Sequence, residues 1–181
     1  QTDHSRGRTT DGAATWSVFL DPTPGAANTG AYSEYAPKPV FSAPSGVQGG
    51  PVSLSLTVGG AGLTIRYTLD GSLPTATSPT YAAPLNIAAT TVVRARTFSS
   101  DPAVPPSAVE TNTYLLGTAH SVAILSIAGD ELPTLLNGTQ INPVGSFEYF
   151  GPDGQLRDEA TGDFNEHGND SWAYDQRGFD Y

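Results

Sequence analysis

The residues best suited to chemistry lie in an acidic stretch near the end of the chain. From Asp163 to Gly168 the spacing is D-x-N-x-x-G, which matches the beginning of a calcium-binding loop, and Asp170 follows two residues later. Such a loop takes oxygen ligands from alternate residues and needs a glycine for its sharp turn. The twelfth position, where a bidentate Glu is required, is Tyr174. Two alternatives stay open: Asp163, Asn165 and Asp170 bind calcium, or the stretch is a solvated acidic loop.

Aromatic side chains offer a second candidate site, because their faces suit the rings of sugars. Trp172 stands beside carboxylates that suit sugar hydroxyls, and it is the residue for which we consider carbohydrate binding. The alternative for the aromatic residues is packing in a core. Packing accounts for at least Tyr67, Tyr81, Phe98 and Phe147.

No catalytic constellation can be assembled from the sequence. The histidines, His4, His120 and His167, lack the i, i+4 spacing that places two imidazoles on one helix face. No G-x-S-x-G segment marks a serine nucleophile. Paired acids for glycoside hydrolysis could be drawn from Asp153, Asp158, Glu159, Asp163 and Glu166. Spacing along the sequence does not tell how far apart two carboxyl groups lie in space, which is what this chemistry depends on. We therefore predict no catalytic residue.

Composition excludes several classes of partner and cofactor. The 181 residues carry a formal net charge of −10 and a single lysine, Lys38, whereas nucleic acid binding needs clustered cations. The absence of Cys and Met excludes disulfides, thiolate metal sites and iron–sulfur clusters. No apolar run is long enough to cross a bilayer. We therefore expect no nucleic acid, no membrane span and no cofactor, apart from calcium if the acidic stretch binds it.

The charge is distributed unevenly, which indicates two segments of different character. Residues 1–116 contain seven acids and six bases, whereas 117–181 contain eleven acids and two bases, Arg157 and Arg177. Phosphoryl transfer needs cations on the phosphates. The second segment offers few of them, so we expect this chain by itself to be inactive as a kinase.

Short β-strands dominate the middle of the chain. About seven alternating or β-branched runs between residues 40 and 116 are separated by turns rich in Gly, Pro, Asp and Ser, a pattern typical of a two-sheet sandwich. Strict alternation over 52–58 predicts one apolar face, because successive strand side chains point to opposite sides. That face consists of Val52, Leu54, Leu56 and Val58.

An ordered string of motifs in this block resembles a known family. Residues 67–75 read YTLDGSLPT, 78–81 read SPTY and 90–98 read TTVVRARTF. Asp70 and Gly71 suit a tight turn in which the carboxylate accepts from the following backbone donors and the glycine adopts positive φ. The string resembles the small immunoglobulin-like module at the C-terminus of chitobiases. The resemblance implies an accessory module with no catalytic residues to carry over.

The beginning of the chain resembles a different family. A D-G turn precedes a strand containing Trp16 and Phe19, and TPGAAN follows at residues 23–28. This order resembles the last strand and exit of a bacterial lamin-tail-type domain. Trp16 and Phe19 are expected to pack either against chain that precedes Gln1 or against the next module.

The end of the chain resembles the opening of the spore-coat (CotH-type) kinase-like family. A buried strand over 121–127 precedes a capped helical turn after Asp130, and a strand with Phe147 leads into the turn Gly151–Gly154. The nucleotide-handling lysine and metal ligands of that family would lie at or beyond Tyr181. The resemblance therefore implies the start of such a domain without its catalytic half.

From these patterns we predict a mainly all-β protein, an immunoglobulin-like β-sandwich with flanking partial β or α+β segments. The expected organisation is the end of a lamin-tail-like domain at 1–30, a linker at 31–38, the sandwich at 39–116 and the start of a CotH-like domain at 117–181. We expect a non-catalytic structural, spacer or adhesion module of a larger secreted or cell-surface bacterial protein. Its partners would be neighbouring domains, other surface proteins or glycans. The alternatives are the front part of a kinase-like enzyme and a carbohydrate-binding module.

Overall fold

The computed structural model describes residues 4–10, 12–117, 120–168 and 178–181. Its regular structure is almost entirely β-strand, which confirms the predicted fold class. Within these ranges no helix has both the length and the apolar character needed to cross a bilayer.

The first sheet contains three antiparallel strands, β1 (Ser5–Arg8), β2 (Trp16–Phe19) and β3 (Ala31–Tyr32), with β2 in the centre. Val18 and Phe19 of β2 are buried, as their apolar character requires. The expected strand is confirmed.

Trp16 differs from the rest of this strand. Its side chain is 56% exposed, so it does not pack against the next module, and packing against chain that precedes Gln1 stays a prediction. Arg8 is the residue paired with Trp16 across β1 and β2, and its guanidinium carbon lies 5.4 Å from the centroid of the indole ring. The cation–π contact stabilises the indole at the surface, whereas Phe19 at the other end of the strand is buried.

The middle of the chain forms a two-layer sandwich. Its strands are β4 (Val40–Phe41), β5 (Gly46–Val47), β6 (Val52–Leu54), β7 (Leu56–Thr57), β8 (Leu63–Thr68), β9 (Leu85–Ile87), β10 (Thr91–Ser99) and β11 (Glu110–Leu115). One layer has the order β5-β11-β10-β8, with β5 parallel to β11 and the other neighbours antiparallel. In the other layer β4 pairs with β7 and β6 pairs with β9. Only Ser55 separates β6 from β7, so the β6-β9 pair and the β4-β7 pair are consecutive parts of the same layer.

Both layers contribute to a single core, which confirms the predicted alternation. Leu54 and Leu56 are buried, Val52 and Val58 pack against them, and Ser53 is exposed. The buried members of the core are Leu54, Leu56, Ile65, Ile87, Val93, Ala95 and Tyr114. Burial of these apolar side chains makes the main favourable contribution to the stability of the sandwich.

Residues after the sandwich form a second β-rich unit. Its elements are β12 (Ile124–Ala128), α1 (Leu132–Leu136), β13 (Val144–Phe150), β14 (Leu156–Asp163), β15 (Asn165–Glu166) and β16 (Phe179–Asp180). Strands β12, β13 and β14 make an antiparallel sheet with β13 in the centre, and β15 pairs with β16. Leu132, Leu135 and Phe164 form a buried cluster, against which Ile127 and Phe147 pack.

Two local expectations for this unit are modified by the structure. The helical turn after Asp130 is confirmed, but Glu131 at its N-cap makes no side-chain capping hydrogen bond. The strand predicted to be buried is buried only in part, because Leu125 is 50% exposed. Leu125 shares a face with Ile127, yet only Ile127 packs against the cluster around α1.

The core generates a first prediction. We expect Leu54→Ala to lower the free energy of unfolding by about 2–5 kcal/mol, because the fully buried side chain leaves a cavity between the layers. Urea unfolding of the full chain measures the change. Ser53→Ala, on the exposed face of the same strand, is the matched control and should change stability by less than about 0.5 kcal/mol. Equal effects of the two substitutions would contradict the assigned faces.

Candidate functional site

The candidate site is built on the outer face of the β5-β11-β10-β8 layer. Val93 and Ala95 of β10 belong to the core, so alternation places Arg94 and Arg96 on the opposite face. Thr111 of β11 is the direct partner of Arg94 in the antiparallel register and shares that face. The outer face of the sandwich therefore carries cations and hydroxyls.

The sheet that follows the sandwich covers this polar face with polar side chains of its own. The Thr113 hydroxyl donates to Oε2 of Glu148 at 2.5 Å and accepts from the Ser126 hydroxyl at 2.7 Å. The Ser146 hydroxyl donates to Oγ1 of Thr111 at 3.3 Å. Residues of β11, β12 and β13 thus join the sandwich and the following sheet through one hydrogen-bonded cluster.

Glu148 is the unusual member of this cluster, since its side chain is only 1% exposed. Burial raises the pKa of Glu148, and the nearby charge of Glu159 adds to the increase. Hydrogen bonds from Thr113 and Ser45 oppose it. The second oxygen, Oε1, nevertheless has no hydrogen bond of normal geometry among the described residues. The folded protein therefore favours the protonated carboxyl more than the unfolded chain does.

A close backbone approach forms a second contact between the two units. The Val47 amide donates to the Gly154 carbonyl at 3.1 Å. Gly154 has a φ of 74°, and a Cβ added there would lie 2.3 Å from Cγ2 of Val47. Gly46 has a φ of 117°, and its Cβ would lie 2.5 Å from the Gly154 oxygen. Only glycine fits at both positions.

The Asp70-Gly71 turn makes the third contact. The Ser72 amide donates to Oδ1 of Asp70 at 3.0 Å, and the hydrogen bonds from Ser72 lower the pKa of Asp70. Gly71 has a φ of 80°, so the predicted turn chemistry is confirmed. One residue further on, the Leu73 amide donates to Oδ1 of Asp130 at 2.5 Å. The turn thereby contacts the loop in front of α1.

Arg94 lies beneath this turn and is 4% exposed. Its Nη1 donates to the Gly71 carbonyl at 3.0 Å, whereas Nε has no hydrogen-bond partner within the described part of the chain. Burial lowers the pKa of Arg94, and the charge of Asp130 partly offsets that effect. Arg96, on the same face, donates from Nε to the Ser107 carbonyl at 2.7 Å.

A cleft of about 990 Å³ lies between the two units. Arg94 and Arg96 line it from the sandwich, and three acids, Asp130, Glu131 and Asp163, line it from the following unit. A smaller cleft of about 210 Å³ lies next to it, and Val109 and Thr161 line both clefts. The walls of the larger cleft therefore carry charges of opposite sign.

The site residues predicted from sequence have different positions. Asp163, at the end of β14, lines the larger cleft, and Asn165 begins β15. Asp170 and Trp172 lie outside the described residues. In the ranges that the structure does describe, no three His, Asp or Glu side chains form a group that could hold a metal ion. Calcium binding and carbohydrate binding at Trp172 both stay predictions.

Sequence reasoning did not identify Arg94, Arg96, Asp130 and Glu148 as site residues. A signal was present for the arginines, because a predicted strand with the order V-V-R-A-R must direct both of them to one face. Glu148 gave a similar signal, since it interrupts the aromatic residues Phe147, Tyr149 and Phe150. Alternation along one strand could not predict which residues of the other unit pack against these faces.

Together, the layers, the strand order and the shared core define an immunoglobulin-like β-sandwich module. Residues 43–111 match the model of the family described as chitobiase/beta-hexosaminidase C-terminal domain, which is a non-catalytic module of this class. That finding confirms the resemblance of the middle of the chain. No match was found among the curated proteins or the solved structures. The lamin-tail and CotH resemblances have no support from these comparisons and stay predictions.

The glycine contact generates a second prediction. We expect Gly154→Ala to destabilise the protein by more than Gly25→Ala, because the two residues have similar φ angles, 74° and 79°, but only Gly154 would place its Cβ against Val47. Nothing lies within 4 Å of a Cβ at Gly25. The excess should be about 1–3 kcal/mol, the usual cost of overpacking, and thermal unfolding measures it. Equal melting temperatures for the two variants would argue against the contact.

Glu148 generates a third prediction, on pH dependence. Because the folded pKa is raised, the contribution of Glu148 to stability is highest below its unfolded pKa of about 4.3 and falls as the pH rises through the folded pKa. Glu148→Gln removes this pH-dependent loss of stability, because the amide does not ionise, and it keeps an oxygen that accepts the hydrogen bond from Thr113. We expect the variant to match the natural protein near pH 4 and to exceed its stability near pH 8, by about 1.4 kcal/mol for each pKa unit.

Urea unfolding between about pH 4 and pH 8 measures this difference. Ser53→Ala, which removes no charge and lies at an exposed position, is the control and should leave the pH profile unchanged. Parallel profiles for the natural protein and Glu148→Gln would refute the assignment.

Proposed function

We propose that this chain is a non-catalytic structural module of a larger secreted or cell-surface bacterial protein, in which the sandwich spaces and orients the segments on either side. The buried hydrogen bond between Thr113 and Glu148 carries the proposal. Domains joined only by a flexible tether would leave the outer face of the sandwich in water. Here a second sheet covers it, and the contacts at Gly154 and Asp130 add two further attachment points.

The segment before the sandwich supports the same role. The Ala36 amide donates to the Pro105 carbonyl at 2.9 Å, and Ala36 is buried. The next contact is an ion pair between Lys38 and Glu110. Residues 31–38, predicted as a linker, are therefore attached to the sandwich near their C-terminal end. Such attachment restricts the angle between the first sheet and the sandwich.

The proposal extends to organisation, location and partners. Its units are the lamin-tail-like end at 1–30, the linker at 31–38, the sandwich at 39–116 and the CotH-like start at 117–181. Modules of the matching family occur in secreted glycosidases, which supports an extracellular or cell-surface location. The proposed partners are neighbouring domains, other surface proteins or glycans. The family match also favours a carbohydrate-associated role as the second candidate function.

A fourth prediction tests rigidity in the full chain. We expect nitrogen-15 relaxation to give one rotational correlation time for amides of β10 and β13, because the two units are joined by buried contacts. Thr113→Val removes a hydroxyl that serves both Glu148 and Ser126, and should lower the free energy of unfolding by about 1–3 kcal/mol.

Thr57→Val, on an exposed position of the opposite layer, is the matched control and should have little effect on stability. Faster tumbling of β13 than of β10 in the natural protein would show two independently moving units. That result would exclude the spacer proposal in its rigid form.

A further inference from the structure

The larger cleft has features that a spacer does not need. Its volume, about 990 Å³, is at the upper end of the range for small-molecule sites. A contact made only to hold two units together is expected to be filled by side chains, as protein interiors are. Here an open space persists between them, with ionisable side chains on both walls.

The sandwich wall offers a cation that is poorly compensated. Arg94 is almost completely buried, yet within the described part of the chain it forms no ion pair. Its Nη1 donates to the Gly71 carbonyl, and Nε has no partner among the residues that the structure describes. Burying a guanidinium costs free energy unless an anion or several acceptors accompany it. The charge of Asp130 offsets this cost only in part, so a carboxylate bound in the cleft would supply a further anion.

The opposite wall offers anions. Asp130, Glu131 and Asp163 line the cleft, and Asp163 and Glu131 are exposed to solvent. Carboxylates arranged in this way attract an ammonium group. A ligand that satisfies both walls must therefore carry a negative charge at one end and a positive charge at the other.

The side of the cleft also suits an extended backbone. Strand β14 is the outer strand of its sheet, with β13 as its neighbour among the described strands. An outer strand directs alternate N–H and C=O groups away from its neighbour, where a further chain can pair with them. Thr161, Gly162 and Asp163 of β14 line the larger cleft, and Glu159 to Thr161 line the adjoining one.

We propose that the cleft binds a short peptide with free termini, its carboxylate on Arg94 and Arg96 and its ammonium on Asp163. Leu73, Val109 and Val144 provide apolar surface for small side chains between the two ends. Three or four extended residues span about 10–13 Å, so a tripeptide or tetrapeptide separates its two charged ends by that length. This binding function is independent of the spacer role, since a rigid unit without ligand would still orient its neighbours.

The fifth prediction uses trialanine and its blocked forms as probes of the full chain, by calorimetric titration in the presence of EDTA. Trialanine should bind most tightly. N-acetyl-trialanine, which lacks the ammonium, and trialanine amide, which lacks the carboxylate, should each bind about tenfold to a hundredfold more weakly. The peptide blocked at both ends should show no saturable binding. Maltotriose, a neutral sugar of similar length, should not bind either.

Variants assign the two ends of the peptide to the two walls. Asp163→Asn, at an exposed position, should weaken trialanine and trialanine amide but leave N-acetyl-trialanine unchanged. Arg94→Gln should show the reverse pattern, provided that its folding is verified by circular dichroism. Asp158→Asn, an exposed acid of the same strand that lines neither cleft, is the matched control for Asp163→Asn.

Equal affinity for all four peptides, no binding at millimolar concentration, or tighter binding of maltotriose would each overturn the proposal. Each of these results would leave the relaxation test of the spacer role unaffected, so the two proposals can fail separately.

Discussion

A buried carboxyl group, that of Glu148, fixes the arrangement of the second β-rich unit, which follows the sandwich. Glu148 must reach a donor because an uncompensated polar group in the interior is costly, and Thr113 of the sandwich supplies it at 2.5 Å. Side chains on β13 alternate, so a shift of the strand by one residue would turn Phe147 or Tyr149 towards the hydroxyls of the sandwich. The same shift would bury the carboxyl among the apolar residues around α1. The hydrogen bond thus selects a register, and the register places β12 and β14 on either side.

Patterns carried by neighbouring residues were enough to predict the fold of the middle of the chain. Alternation over 52–58 gave the core face, and Asp70 and Gly71 gave the turn, because both depend on backbone geometry within a few residues. Exposure of individual apolar side chains was predicted less well. Trp16 and Leu125 lie on correctly predicted strands, but burial depends on what covers a face, and among the described residues nothing buries either side chain.

The candidate site could be predicted only in fragments. Asp163 was identified as an acid of interest, for a calcium loop, whereas the structure places it at a cleft that also contains Arg94 and Arg96. The two walls come from different units of the chain, and Leu73 and Asp130, which are in contact, are 57 residues apart in sequence. A site of this kind exists only after two units have packed together. The spacing of residues within one segment cannot predict how two units pack together.

The parallel pairing of β5 with β11 has a mechanical consequence. Gly46 and Val47 are paired with Tyr114 and Leu115, and the Gln48 amide donates to the Leu115 carbonyl at 2.9 Å. Tension applied to the two ends of the sandwich pulls these parallel strands in opposite directions along their length. The hydrogen bonds between them are then strained in shear and must break together, whereas those of a hairpin pulled open at one end break one after another. A body stretched between anchored neighbours would resist extension at this short pair of strands first.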